Sequence, residues 1–305
     1  MAKIKPLKQI SEQYITARKF PTSWCPGCGI GMTMGGIVRA IDQMGVDRDL
    51  CTFVVGIGCY GGVMGYIDFD ELHVAHGRSP ALATGLKLMR PELNVICVVG
   101  DGDVSAIGGN HLIHAARRNI DITVVVMNNH VYGMTGGQYS PTTRKGDYTQ
   151  TTPYGMMEPA FDICKLVEAA GATFVARTCT YRMTQMIDLI EQGMRHKGFA
   201  LIEVESQCPV IYGRLNRLGS AVDMLRQQAE STVTVERAKT MTAEQLEGKI
   251  VTGVLVEKQE PEYVSEYYKL IERAATTAGN TAWRPPVPGG APPAKVLAAP
   301  IPGGR

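Results

Sequence analysis

Five short apolar runs punctuate the first two-thirds of the chain: Cys51-Thr-Phe-Val-Val, Asn94-Val-Ile-Cys-Val-Val, Ile122-Thr-Val-Val-Val-Met, Thr173-Phe-Val-Ala-Arg and Ala200-Leu-Ile-Glu-Val-Glu. Each is rich in β-branched residues and alternates with helix-length segments, which predicts strands buried on both faces. The fold class that follows is α/β, an open, doubly wound and mostly parallel sheet, with ligands expected beyond the carboxyl ends of its strands. Val104 to Asn119 reads as a helix of about four turns, and Arg117 and Arg118 suit the negative end of its dipole. From Tyr212 onward the strands are expected to stop, leaving polar helices over 220–231 and 243–249. Three parts result: an α/β domain over 1–215, a helical C-terminal extension over 216–278, and a tail over 279–305. The tail holds Arg284-Pro-Pro-Val-Pro-Gly-Gly-Ala-Pro-Pro, a composition that cannot bury enough surface to order itself and reads as flexible.

Composition narrows the partners. A chain of 305 residues with 45% hydrophobic content can bury a sizeable core. Its 31 basic and 29 acidic residues leave a net charge of +2, so it has no overall basic field and nucleic-acid binding is not expected. The basic start is followed by Glu12, Arg18 and Lys19 instead of the apolar stretch of a signal peptide, and no apolar run approaches the roughly 18 residues that span a bilayer. A cytoplasmic location without membrane contact is expected. Eight cysteines in that compartment point to metal ligands or buried thiols more than to disulfides.

Chemistry concentrates in two places. In Val98-Val-Gly-Asp-Gly-Asp, the glycines let the backbone approach a phosphate, and the following helix start offers free N–H groups to an anion. Asp101 supplies a hard oxygen for Mg²⁺, and Asn129 after the next strand, with the Val131 carbonyl, completes the protein share of an octahedral shell. A bare Gly-Asp-Gly is only a turn signal; the Asn128-Asn129 pair changes its weight. Asp103 would repel a diphosphate that it faced, so it either points away or binds metal-bound water.

The second place is Trp24-Cys-Pro-Gly-Cys-Gly, a loop that aims Cys25 and Cys28 at one centre. Cys59, in Gly56-Ile-Gly-Cys-Tyr-Gly-Gly, and Cys208, in Gln207-Cys-Pro-Val, follow strands and are the remaining candidates. Four thiolates suit a structural Zn²⁺ or a [4Fe–4S] cluster, and spacing alone favours zinc. A neighbouring redox cofactor favours the cluster, because electrons then have an exit. Cys51, Cys97, Cys164 and Cys179 lie among apolar neighbours and read as core thiols.

The Gly-Asp-Gly with its downstream Asn-Asn resembles the thiamin diphosphate signature of transketolases, decarboxylases and 2-oxoacid oxidoreductases. That likeness assigns Gly100, Gly102, Asp103 and Val104 to the diphosphate, and Asp101, Asn129 and Val131 to Mg²⁺. With Trp24-Cys-Pro-Gly-Cys-Gly, Gly58-Cys59, His76-Gly-Arg, Asn110-His-Leu-Ile-His-Ala-Ala-Arg-Arg-Asn, Tyr132-Gly-Met-Thr-Gly-Gly-Gln and Tyr212-Gly-Arg-x-Asn-Arg added, residues 15–225 resemble the β subunit of a 2-oxoacid:ferredoxin oxidoreductase. The resemblance implies one [4Fe–4S] cluster on Cys25, Cys28, Cys59 and Cys208. It implies decarboxylation of a 2-oxoacid at thiamin diphosphate, single-electron transfer through the cluster to ferredoxin, and acyl transfer to coenzyme A. The glutamate that activates the cofactor is implied on a separate α subunit, in an αβ or α2β2 assembly; Glu71, Glu158 and Glu168 are no better than surface positions. The Tyr132-Gly-Met-Thr loop resembles the 2-oxoglutarate branch, since the pyruvate branch usually carries asparagine where Met134 stands. Pyruvate and branched-chain 2-oxoacids rank behind it. A two-subunit non-redox decarboxylase and a zinc-stapled binding subunit are the competing readings.

Other polar residues divide between site and surface. His76 and Arg78 read as a loop near the cofactor or partner, and Thr135 and Gln138 as candidates to face substrate or coenzyme A. His111 and His114 share one helix face, where packing or a subunit contact is a better expectation than a metal. Arg214 and Arg217, shortly after Cys208, are either solvated charges or a docking point for acidic ferredoxin.

Overall fold

The computed structural model describes residues 13–16 and 20–277; the Pro/Gly-rich segment 279–305 lies outside them. The apolar runs form β1 (Cys51–Val55), β3 (Asn94–Gly100), β4 (Thr123–Asn128), β7 (Phe174–Cys179) and β8 (Ala200–Glu205). Together with β2 (Asp70–His73), β9 (Thr232–Thr234) and β10 (Ile250–Glu257) they make an eight-stranded sheet in the order β2-β1-β3-β4-β8-β7-β10-β9. The first six strands of that order run parallel. A small hairpin, β5 (Val131–Tyr132) with β6 (Gln138–Tyr139), stands apart.

Period-two alternation sorts the strands' side chains onto two buried faces. Phe53, Val55, Ile96, Val98, Val125 and Met127 pack under α1 (Gly29–Met44) and the long helix Met183–Arg195, through Ile37, Ile41, Met186 and Ile190. Val54, Val95, Cys97, Val99, Val124 and Val126 pack on the opposite side under α2 (Ser79–Met89), α3 (Gly109–Arg117) and α4 (Ile163–Ala169). The expected doubly wound, mostly parallel architecture is therefore present. Chain order reverses between β1 and β3, and the crevice above that switch point is the general ligand position of such sheets.

Two expectations need correction. The strands do not stop at Tyr212: the 216–278 segment contributes β9 and β10, and β10 pairs antiparallel with β7 around a bulge between Val254 and Val256. Its apolar run Ile250-Val-Thr-Gly-Val-Leu-Val reads as strand by β-branching, but Gly253 at φ 125° interrupts it, and the helices before it, Val235–Ala238 and Ala243–Leu246, are only one turn each. The helix Ala221–Ser231 does form, capped by Ser220 and Asp223 in a reciprocal box. The second correction concerns the helix after the Gly-Asp-Gly turn, which is not continuous. Asp103–Ile107 makes a wide π turn, with Gly108 N–H donating to Asp103 O at 3.0 Å, before α3 begins. Gly108 and Gly77 lie back to back, and a Cβ on Gly108 would come within 2.8 Å of Gly77 O. The wide turn thus lets the loop after β2 lie against the site.

Candidate functional site

The carboxyl ends of β1, β3 and β4 open onto a cleft of about 280 Å³. Ile57, Gly58, Cys59 and Tyr60 follow β1, Gly100–Asp103 follow β3, and Asn129 and Val131–Thr135 follow β4; Ile30 and His76 complete the wall. Two sequence-derived sets, the Gly-Asp-Gly turn and the Asn-Asn pair, thus meet in one cavity.

At its floor Asp101 is buried, and its Oδ2 accepts hydrogen bonds from Ser140 Oγ at 2.5 Å and Thr142 Oγ1 at 2.6 Å. Burial pushes its carboxyl above the ordinary range, opposed by those two hydroxyls. The Asn129 side-chain amide faces Val131 O at 2.7 Å and Asp101 Oδ1 at 3.2 Å, and donates to both with its nitrogen turned toward them. With its oxygen turned inward instead, three acceptors converge, an arrangement that a cation among them would stabilise. This oxygen set fits a Mg²⁺ ion in chemistry and in ligand number. Asn128, by contrast, is scaffold: its Oδ1 accepts from Thr142 Oγ1 at 3.0 Å and its Nδ2 donates to Glu203 Oε1 at 2.8 Å.

Asp103 turns away from the floor. Its carboxyl is fully buried, accepts Gly77 N–H at 2.5 Å and pairs with His76 Nδ1 at 2.8 Å, while its Oδ2 has no hydrogen-bond partner. That carboxyl is thus engaged with the His76–Gly77 loop while the residue still lines the cleft. Val104 has its side chain in the core and is not among the cleft-lining residues. Close approach is built into the turn: Gly102 sits under the Tyr132 ring, whose hydroxyl donates to Gly102 O at 3.0 Å. Thr135 lines the rim, hydrogen-bonded to Gln138.

The cysteine set adjoins the same cleft. Cys28 N–H donates to Cys25 O at 3.0 Å, closing the Cys-Pro-Gly-Cys turn with Gly27 at φ 77°. Gln207 ties that loop to the end of β8, its O accepting from Gly29 N–H at 3.0 Å and its Nε2 donating to Gly27 O at 3.0 Å. Trp24 Nε1 donates to Cys59 O at 2.7 Å, fixing the third ligand loop against the first. Burial pushes the Cys28 thiol up to about 12, with Cys208, Cys59 and Cys25 acting in the same sense and the Ile30 N–H opposing. Burial, Cys208 and Cys25 push Cys59 up to about 11. The four thiols act on one another electrostatically, though among the described residues no three of their sulfurs lie within 4.8 Å of one another, a spacing wider than a tetrahedral zinc site and one that an iron–sulfur cluster fits. Gly133 joins the two centres: a Cβ there would lie 3.4 Å from Cys59 Sγ and 3.9 Å from Cys208 Sγ, and Gly133 also lines the cleft.

Cys51, Cys97 and Cys179 are core thiols. Cys164 is buried too, but its Sγ donates to Glu203 Oε2 at 3.1 Å in a cluster with Asp162. Arg177 bridges those carboxylates at 2.7 and 2.6 Å, so a guanidinium already fills the place of a cation. The Arg78 guanidinium near His111 disfavours a metal there as well. Arg214 and Arg217 are exposed on the segment after Cys208.

Sequence reading passed over His130, Ser140 and Thr142. His130, at φ 61° between the two magnesium-type positions, contacts Glu205 Oε2 at 2.7 Å and Thr142 O at 2.9 Å. Its signal was a polar Asn-Asn-His run ending a buried strand.

A buried Asp at a Gly-Asp-Gly turn, a facing Asn and a doubly wound sheet define a thiamin diphosphate-binding domain. Residues 56–204 accordingly match the family described as "Thiamine pyrophosphate enzyme, C-terminal TPP binding domain". The chain is 46% identical over 261 residues to the 2-oxoglutarate synthase subunit KorB of Methanocaldococcus jannaschii, covering 86% of this chain and 97% of the relative. It is 50% identical over 196 residues to the protein of the same name from Archaeoglobus fulgidus, covering 64% and 73%. A solved structure, 2-oxoglutarate:ferredoxin oxidoreductase from Magnetococcus marinus with 2-oxoglutarate, coenzyme A and succinyl-CoA bound, aligns with TM-score 0.78 and 34% identity over 87% of this chain and 90% of that one. The chain belongs to the family of 2-oxoacid:ferredoxin oxidoreductase β subunits.

Proposed function

We propose that this chain is the β subunit of a 2-oxoglutarate:ferredoxin oxidoreductase, converting 2-oxoglutarate and coenzyme A to succinyl-CoA and CO₂ in the cytoplasm. The observation that carries this is the shared wall of the two centres: Cys59 and Gly133 belong both to the cleft and to the cysteine set. A zinc staple or a non-redox decarboxylase gives no reason for that adjacency, whereas electron transfer requires it.

Asp101, Asn129 and Val131 O would hold Mg²⁺, and the Gly100–Gly102 turn would take the cofactor's diphosphate. Thiamin diphosphate, when bound, supplies the carbanion that makes decarboxylation possible. Cys25, Cys28, Cys59 and Cys208 would hold one [4Fe–4S] cluster and pass electrons singly to ferredoxin. Ser140 and Thr142 keep Asp101 aimed at the metal, and Tyr132 fixes the Gly102 backbone beside the phosphate. The cleft's own carboxylates are both committed, Asp101 to the metal position and Asp103 to Gly77 and His76. The activating glutamate is therefore assigned to an α subunit.

The test is anaerobic co-expression with the α subunit. The complex should contain iron, and 2-oxoglutarate should bleach its visible absorbance with a higher kcat/KM than pyruvate. A colourless, zinc-containing, iron-free protein would sink the redox reading, and a preference for pyruvate would move the chain to the other branch.

A further inference from the structure

His76 stands at the mouth of the cleft, its side chain 32% exposed, with its ring 5.9 Å from that of Tyr132. Its Nδ1 lies 2.8 Å from Asp103 Oδ1 and 3.0 Å from Ile57 O. The Ile57 carbonyl only accepts hydrogen bonds, so Nδ1 carries a proton toward it, and Nε2 has no hydrogen-bond partner among the described residues. The support behind this ring is built, not incidental. The same Asp103 oxygen accepts the N–H of Gly77, the next residue, so one buried carboxylate holds both the imidazole and its main chain. Gly56 gives that carboxylate room, since a Cβ there would meet Asp103 Oδ2 at 2.5 Å.

We propose that His76, oriented by Asp103, is the base that accepts the proton of the coenzyme A thiol; the proposal rests on the oxidoreductase reading above. Of the reactants, the thiol is the one that must lose a proton to become a nucleophile. The S–H proton passes to Nε2, and the sulfur forms its bond to the acyl carbon. The electron pair of the bond that breaks stays with the cofactor. The two electrons of the oxidation would leave singly through the cluster to ferredoxin. Position agrees with this role: Asp101 lies at the buried floor, whereas His76 is at the mouth, where a second, soluble substrate arrives. The titratable and charged groups facing the ring are Asp103, with Asp101 behind it, the hydroxyls of Tyr60 and Tyr132, Arg78, which donates to Ile107 O, and His73 on Gly56 O.

The experiment separates the two half-reactions in the complex with its α subunit, following the cluster by visible bleaching and electron paramagnetic resonance before and after coenzyme A is added. His76→Gln should slow succinyl-CoA formation by on the order of 10²-fold at pH 7, and more than it slows reduction of the cluster by 2-oxoglutarate alone. The deficit should shrink toward pH 9, because a thiol ionising at about pH 8.5 no longer needs a base. Asp103→Asn, which keeps the shape and releases the tautomer, should give the same pH-dependent deficit and carries the test if His76→Gln does not fold. Equal losses in both half-reactions at every pH would overturn the proposal. A wild-type complex whose cluster 2-oxoglutarate does not reduce would instead overturn the functional reading beneath it.

Discussion

Asn129 differs from its neighbour Asn128 only in which way the backbone presents it, and that difference separates a ligand from a scaffold. Strand alternation puts one amide into the buried network of Thr142 and Glu203 and the other into the cleft. Asn129→Ala should weaken Mg²⁺-dependent thiamin diphosphate binding by at least about tenfold, read by titration calorimetry of the complex. Cys59→Ala and Cys208→Ala should lose iron, whereas Cys97→Ala, which removes a sulfur from the sealed core, should keep it; unchanged iron in the first two would show that the ligands were misassigned. Much of this was legible because ligand residues carry unusual types at strand ends. His130, Ser140 and Thr142 were not legible, because hydroxyls serving the Asp101 carboxylate from 39 and 41 residues away, and an imidazole held by Glu205, 75 residues on, leave no local pattern.

At the scale of elements, order depends on a few polar clasps between apolar layers. Asn119 ends α3 at φ 49°, and its side chain accepts from Phe199 N at 2.8 Å and Thr173 Oγ1 at 2.7 Å. Its Nδ2 donates to Glu260 O at 3.3 Å, tying in the chain beyond β10. Asn119→Ala strands several buried groups and should lower unfolding free energy by about 3 kcal/mol, measured in urea. Asp121 clasps α2 to the sheet through Lys87 at 2.9 Å and holds Lys197 at 2.6 Å. Burial raises its carboxyl pKa, but the two ammonium groups outweigh burial and leave it below the ordinary range. A depressed carboxyl stabilises the fold above its unfolded pKa of about 3.9 and loses that contribution as pH falls through the folded value. Acid melting below pH 4 should therefore be flatter in Asp121→Asn than in the parent. The parallel strands were readable from the sequence because burial on both faces writes itself as unbroken apolar runs. β10, antiparallel to β7 and parallel to β9, was not, since Gly253 breaks its apolar run and only short polar helices precede it, and the π turn after Asp103 came from the meeting of Gly77 and Gly108 across sequence.

Over the whole molecule, no described helix is long and apolar enough to cross a membrane, and the cleft, the cysteine set and the helix-flanked sheet form one body. The isolated chain should hold iron yet fail to bleach with 2-oxoglutarate until the α subunit is added; bleaching by the chain alone would place the activating carboxylate here after all. At Gly133 the cleft and the cysteine set share one backbone position. With cleft on one side and the Cys59 and Cys208 sulfurs on the other, a single methyl group at that position is felt by both at once. A change at the adjoining Met134 or Thr135 therefore shifts backbone that also borders those two thiols. The cleft rim and the cysteine set in this chain are inherited together, and laboratory evolution of one will be constrained by the other.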